Sequence, residues 1–253
     1  MKLVINEQYI NIRKKIAQFT TLGSLGILVL GLVYAFRRDA RSALYSYIAL
    51  ILGFILSQVG MYFTSRFGRT PRIDQVLTNV FEKLRHEYSF FVYTSPLPLV
   101  LTGPCGIWVI MPITANGLLS YENGKWKQKG GNFLLRTLGQ EGVGNPTREA
   151  EANSSELKAY LKNKGISDQE MPKIKPVLVV LMKTTQLGDV SGSPVPVVDL
   201  AEMKRYIRRV DREDCATPMD QEKRDRVNAA LLQHARNKVT ISENLKAEDK
   251  SAE

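Results

Sequence analysis

From Tyr88 through Tyr121 the chain has no Asp, Glu, Lys or Arg. In a protein that is 24% charged, such a gap marks buried strands, and it excludes any chemistry that would need a carboxylate or an ammonium group from within it. Cysteine is nearly as scarce. Cys105 and Cys215 are the only two, far apart and in dissimilar surroundings, so no disulfide framework is expected and both are read as reduced thiols on a cytoplasmic face. His86 and His234 are the only histidines, and without paired Cys/His spacing they make no zinc site; no metal and no cofactor is expected. A phosphate-binding glycine loop, a Ser/His/acid set and a Cys/His set are all missing. His86 falls at a polar helix position, where a surface role is the default.

Charge of one sign is short as well. The net charge is +10, which suits an anionic partner, lipid headgroups or nucleic acid. Residues 1–65 carry seven Lys/Arg against two Asp/Glu, so a short and mostly apolar segment supplies half of the excess. That distribution favours membrane topology over nucleic acid as its cause.

Two charge-free runs explain the asymmetry. Ile16 to Phe36 is 21 residues long and Ser42 to Ser65 is 24, where about 20 residues cross the hydrocarbon core as a helix. Arg13, Lys14 and Lys15 precede the first, Arg37, Arg38 and Arg41 separate the two, and Arg66, Arg69 and Arg72 follow. Tyr34, Tyr45, Tyr47 and Tyr62 lie near the segment ends, as an interfacial belt would. The pattern predicts two membrane-spanning helices at the cell (plasma) membrane. The positive-inside rule then puts both termini, and with them the soluble domain, in the cytoplasm. A cleaved signal peptide is the competing reading of the first run, opposed by its length, by the lack of a small-x-small site before Arg37 and by the second span.

Down the second run, Ser42, Ser46, Ala49, Gly53, Ser57 and Gly60 recur at three- or four-residue steps. Stripes of small side chains let helices approach closely in lipid. Gly31 and Ala35 are positioned to face this one within a hairpin, and helix–helix association between chains through Ser46, Ala49, Gly53 and Ser57 is the alternative. Arg66, Arg69 and Arg72 in the linker at 66–73 are read as lipid-facing, each contributing about 1 kcal/mol toward anionic headgroups, or as topology signals alone.

The soluble part is expected over 74–210, after a cytoplasmic N-terminus at 1–15 and before a charged tail at 211–253. Val76, Leu77, Val80, Phe81 and Leu84 fall on one face of a helix from Asp74 to Tyr88. Strands follow at Phe90 to Tyr93, Leu99 to Thr102, Ile107 to Ile113 and Gly117 to Tyr121, with turns at Gly103–Gly106, Asn116-Gly117 and Asn123-Gly124. Four prolines argue against reading the uncharged run as a third span. A basic cluster, Lys125, Trp126, Lys127 and Lys129, is either a weak nucleic-acid platform, with bases stacked on Trp126, or a solvated loop with one anchoring ring. Asn132 to Gly144 reads as a loop with a helical turn around Phe133–Leu138.

Asn145 caps a helix to Lys164, with Pro146 at its first position and Gly165 beyond its end. Pro176 to Met182 is a fully apolar, central strand. Pro194 to Val198 is extended, and Asp199 with Glu202 forms a capping box for a helix to Val210. The tail is weakly helical around Arg226 to Arg236 and disordered after Ser242. The fold class is therefore α/β, a mixed central sheet flanked by helices and preceded by a transmembrane helical hairpin.

The turn Gly103-Pro104-Cys105-Gly106 leading into Ile107-Trp108-Val109-Ile110-Met111-Pro112-Ile113 resembles the nuclease-related domain (NERD) family, which has the restriction-endonuclease-like, PD-(D/E)xK, fold. Asp74 to Tyr88 looks like that family's first helix, Asn145 to Leu161 like its Asn-Pro-x-x-Gln helix with Glu149 in the place of Gln, and Lys175 to Thr184 like its late strand. The resemblance puts the family's catalytic Asp on Pro98, its Glu on Met111 and its Lys on Ile113. All three are apolar here. Mg²⁺ takes carboxylates and waters, so the expectation is a membrane-anchored, catalytically inactive nuclease-like domain, a pseudoenzyme that binds or scaffolds a protein or nucleic-acid partner at the cytoplasmic membrane face. The alternative is a metal-dependent nuclease whose carboxylates have moved to Asp74, Glu82 or Glu122.

Overall fold

The computed structural model describes residues 1–37, 39–131, 143–215, 217–235 and 239–243. They fall into two compact units, Glu7–Ile73, and Met1–Asn6 together with Asp74–Glu253. The loop and helical turn expected at Asn132 to Gly144 lie almost wholly outside the described residues, as does the chain after Glu243.

The first unit is a helical hairpin. Helices α1 (Glu7–Ala35) and α2 (Ala40–Phe63) are joined by a tight connection in which Asp39 Oδ2 accepts from Ser42 N at 2.9 Å, capping α2. Both are long and apolar enough to cross a membrane. Buried positions in α1 are Ile10, Ala17, Ser24 and Gly31, and those in α2 include Ser46, Gly53 and Gly60. Each series advances by seven residues, the period that keeps a seam facing its partner when helices cross at a small left-handed angle. Small side chains fill the seam, and large ones such as Phe19, Leu25, Leu30 and Phe54 are exposed on its outside. The first helix begins nine residues before the charge-free run, so Arg13, Lys14 and Lys15 lie within α1 and not in a separate tail. At the far end α2 passes into a single π-helical turn, Thr64–Gly68. Arg66 and Arg69 are exposed there, and the Arg66 guanidinium lies 4.6 Å from the Tyr62 ring centroid.

In the second unit a mixed sheet carries helices on both faces. Its strands, in chain order, are β1 (Lys2–Ile5), β2 (Ser89–Val92), β3 (Leu99–Gly103), β4 (Gly106–Ile113), β7 (Ile174–Val180), β9 (Val197–Asp199) and β10 (Thr240–Glu243), and in space the order is β10-β1-β2-β3-β4-β7-β9. A smaller sheet has β5 (Gly117–Glu122) between β6 (Lys125–Lys129) and β8 (Thr185–Leu187). The first four residues after Met1 are thus a strand, antiparallel to β10 and parallel to β2. The N-terminus expected at 1–15 is thus divided between this strand and, from Glu7, the first turns of α1. Lys2–Ile5 is too short to announce itself, and its pairing with Ser89–Val92 joins residues that are remote in sequence.

Register explains the absence of charge. Phe90, Leu101, Trp108 and Lys175 are successive cross-strand partners, and on this face Phe81 of α3 (Ile73–Phe81) meets Phe90 edge-on at 5.2 Å while Tyr206 of α5 (Met203–Glu213) meets Trp108 at 5.8 Å. Val4, Phe91, Val100 and Val109 form the adjacent row on the opposite face. There they join a core with Ala150, Leu157 and Leu161 of α4 (Pro146–Asn163) and Val227 and Leu231 of α6 (Gln221–Leu232). Strands covered on both sides must be apolar throughout. Helix α4 crosses from β4 to the parallel β7, and Asn145 Oδ1 caps it by accepting from Arg148 N at 3.2 Å.

Three further expectations need correction. Helix α3 ends at Phe81 and not at Tyr88, because Glu82–Glu87 is used to turn the chain into β2. Asp199 and Glu202 form no capping box: Asp199 Oδ1 accepts from Ala201 N in a turn, and Glu202, just before a helix that starts at Met203, pairs with Arg205 at 2.8 Å. The charged tail is also structural. Val227 and Leu231 are fully buried, and β10 pairs with β1, so the second unit runs well past Val210.

Candidate functional site

The edge where the resemblance puts a catalytic triad is filled. Pro98 is exposed just before β3, while Met111 and Ile113 are each 6% exposed and lie opposite Leu178 and Val180 of β7 in the main core. Their side chains project from the strand face that α4 and α6 cover. Packed in that core, neither side chain is placed to meet an ion or a scissile phosphate.

The alternative carboxylates are dispersed. Asp74 is buried in the first turn of α3, Glu82 is exposed just beyond that helix, and Glu122 ends β5 of the smaller sheet. Glu122 is committed to Lys127 at 2.7 Å and to Ser120 Oγ at 3.2 Å, contacts that hold its carboxyl below the usual range. Among the described residues, no group of three or more His, Cys, Asp or Glu side chains is arranged to hold a metal ion. An open groove of about 260 Å³ beside α4, lined by Ser154, Ser155, Lys158, Met171, Pro172 and Ile174, has no carboxylate in its wall.

The basic cluster is strand β6, not a loop, and pleating divides it. Lys125, Lys127 and Lys129 are exposed on one face, and Trp126 turns to the other, as alternation along a strand requires. There the indole Nε1 donates to Thr147 Oγ1 at 2.9 Å and the ring meets Tyr121 edge-on. Bases held by the lysines could not stack on that ring.

Titratable groups do converge at the end of the main sheet where β2, β4 and β7 begin. Lys175 Nζ lies 3.1 Å from Asp211 Oδ1, and Tyr88 Oη donates to Asp211 Oδ2 at 2.6 Å. The lysine ammonium also sits 4.9 Å from the Trp108 ring, a favourable placement for a desolvated cation. Burial, then the Asp211 hydrogen bond and charge, push the Tyr88 hydroxyl well above the ordinary tyrosine range. Close packing fixes the ring, since a Cβ on Gly103 would come within 2.5 Å of it.

A covalent link closes the same end. Cys105, in the turn between β3 and β4, is bonded to Cys215, just beyond α5, across a Cα–Cα distance of 5.4 Å. The expectation of two reduced thiols is therefore corrected: 110 residues of separation hide a contact made only when α5 packs on the sheet. Met219 N donates to Pro104 O at 2.7 Å beside it. Gly106 follows with φ +134, and a Cβ there would fall 2.3 Å from Lys173 O, so only glycine closes this turn.

Sequence reasoning missed Lys175, Asp211 and Tyr88 as a group. A signal existed, since Asp211 continues the four-residue series of buried Met203 and Ile207 along α5, and an acid on the apolar stripe of a helix needs a buried partner. The cluster is enclosed, with both Lys175 and Asp211 side chains 7% exposed, so it can bind and orient elements of the fold but cannot reach a substrate. No family model, no curated protein and no solved structure matches this chain.

Proposed function

We propose that the chain is a membrane-anchored α/β module that binds or scaffolds a partner at the cytoplasmic membrane face and does not cut a substrate. The observation that carries the reading is the apolar hairpin inserted between β1 and α3: its outer surface is covered with exposed large apolar side chains, and both of its ends run into one sheet. In water such a surface would aggregate, whereas in a bilayer it is solvated. Since β1 lies between β10 and β2, the residues before α1 and those after α2 must occupy the same compartment, as two crossings require. The same pairing opposes a cleaved leader, because cleavage beyond α1 would remove an interior strand.

A restriction-endonuclease-like ancestry is supported by the mixed sheet in which α4 links β4 to the parallel β7, with β5 and β6 intervening in sequence. Loss of catalysis is supported by Met111 and Ile113 serving as core residues. In cell membranes the full chain is expected to resist extraction at alkaline pH. Purified, it is expected to leave single- and double-stranded DNA and RNA intact with Mg²⁺ or Mn²⁺. Cleavage that disappears in Asp74→Ala or Glu122→Ala would overturn the non-catalytic reading in favour of a nuclease with relocated carboxylates.

Seven Lys/Arg on the terminal sides of the hairpin against three in its connection support the cytoplasmic orientation. One observation favours the opposite face: the Cys105–Cys215 bond, of a kind that persists chiefly in oxidising compartments. Membrane-impermeant proteases added to intact cells separate the two. Protection of the α/β unit is expected, and its digestion would put the domain on the oxidising side.

A further inference from the structure

Helix α5 presents cations along a second stripe, opposite in character to the one it buries. Lys204, Arg208 and Arg212 follow at four-residue steps, about 6 Å apart along the axis, and Arg208 and Arg212 are exposed. Arg208 Nη2 donates to Lys83 O at 2.7 Å, which brings the exposed Lys83 beside the stripe. Among the described residues, no carboxylate lies within ion-pairing distance of any of these four cations, although Arg205 on the same helix is paired with Glu202. Partial burial, then the Arg208 and Lys83 charges, hold the Lys204 amine below the ordinary lysine range. A rigid helix that gathers like charges and leaves them uncompensated is arranged for an external anion.

We infer that Lys83, Lys204, Arg208 and Arg212 form a docking surface for anionic phospholipid headgroups. The inference rests on the membrane reading above and adds a second, electrostatic attachment of the domain itself. Chain length argues for lipid as the occupant. Lys83 follows the end of α2 by twenty residues, five of them in the π-helical turn and nine in α3, which span at most about 40 Å, so headgroups stay within reach at high effective concentration. The row also runs along one side of a helix with Lys83, Arg208 and Arg212 exposed, suited to a plane of many phosphates and not to one enclosed phosphate. No unengaged aromatic lies in the row to stack a base, since Tyr206 is committed to Trp108 and Arg209.

The full chain reconstituted into phosphatidylcholine nanodiscs, with or without phosphatidylglycerol, tests this through the acetylation rates of individual lysines, read by mass spectrometry. With phosphatidylglycerol, Lys83 and Lys204 are expected to react about fivefold more slowly relative to Lys158 of α4, the shift that one surface cation supplies. The difference is expected to vanish in Arg208→Gln/Arg212→Gln, which keeps both reporter lysines. Equal rates in the two lipid compositions would overturn the inference while leaving the anchor intact. Slowing by inorganic phosphate or an oligonucleotide in phosphatidylcholine alone would overturn it in favour of a soluble anion. A chain that fails to enter nanodiscs would overturn the membrane reading beneath it.

Discussion

The ammonium of Lys175 and the carboxylate of Asp211 lie 3.1 Å apart with both side chains 7% exposed, joining the start of β7 to the last turn of α5. Removing one member of such a pair strands a buried charge, at a cost of about 3–5 kcal/mol, whereas replacing both by apolar groups is often neutral. Lys175→Met and Asp211→Leu are each expected to lower the thermal midpoint of the detergent-solubilised chain by about 10 °C. The double variant is expected to recover most of that loss, apart from about 1 kcal/mol for the Tyr88 hydroxyl left without its acceptor. Intrinsic tryptophan fluorescence, to which Trp108 against the pair contributes, gives the readout.

Tyr88 adds a pH dependence of definite sign. Its hydroxyl titrates above the usual range in the folded chain because burial and Asp211 disfavour the phenolate, so the folded state holds this proton more tightly than the unfolded state. The stabilisation is complete below the unfolded tyrosine pKa of about 10 and is lost as pH rises beyond it. Midpoints measured from neutral to strongly alkaline pH are expected to fall, and Tyr88→Phe is expected to fall less steeply over the alkaline part. Identical alkaline slopes would mean that other groups govern the loss.

Reduction of Cys105–Cys215 frees a loop of 110 residues. By chain entropy alone a closure of that size is worth about 4–5 kcal/mol, and here it also ties the β3–β4 turn to the end of α5. Cys105→Ser and Cys215→Ser are expected to lower stability by similar amounts, and the double variant by no more than either alone, because all three remove the same bond. Denaturant midpoints with and without reductant measure this. An additive loss in the double variant would mean that the sulfur atoms act as separate packing groups.

Local chemistry made much of this architecture legible. Gly103 to Gly106 announced a two-residue turn between apolar runs, and Asn145-Pro146 announced a helix start. Those signals are local because caps and tight turns constrain neighbouring dihedrals. Pairings between distant segments were not legible. Nothing within Lys2–Ile5 names Ser89–Val92 as its partner, and nothing around Cys215 points to a turn more than a hundred residues earlier. Helix α6 was misread as tail for a different reason: it buries little more than Val227, Ala230 and Leu231, a stripe narrow enough for the surrounding charge to dominate its composition. The enclosed group around Asp211 lay between these extremes, visible in the spacing along α5 but interpretable only with β7 in place.

Glycines in the hairpin allow the seam to be tested residue by residue. A Cβ added at Gly31 would lie 2.8 Å from the Cβ of Ala49, whereas one added at Gly26 meets nothing within 4 Å. Alanine has no rotamer with which to yield, so Gly31→Ala must push the helices apart and is expected to cost about 1–3 kcal/mol. Gly53→Ala meets Leu28 at 2.7 Å and is expected to cost less, because the leucine can rotate. Gly26→Ala gains helix propensity without a contact and is expected to be neutral or slightly stabilising. Thermal unfolding of the full chain in detergent ranks the three. If Gly26→Ala were as damaging as Gly31→Ala, the side of α1 that carries Gly26 would have to be packed against something other than lipid or detergent, and a hairpin seam along Gly31 would not be what holds the helices together.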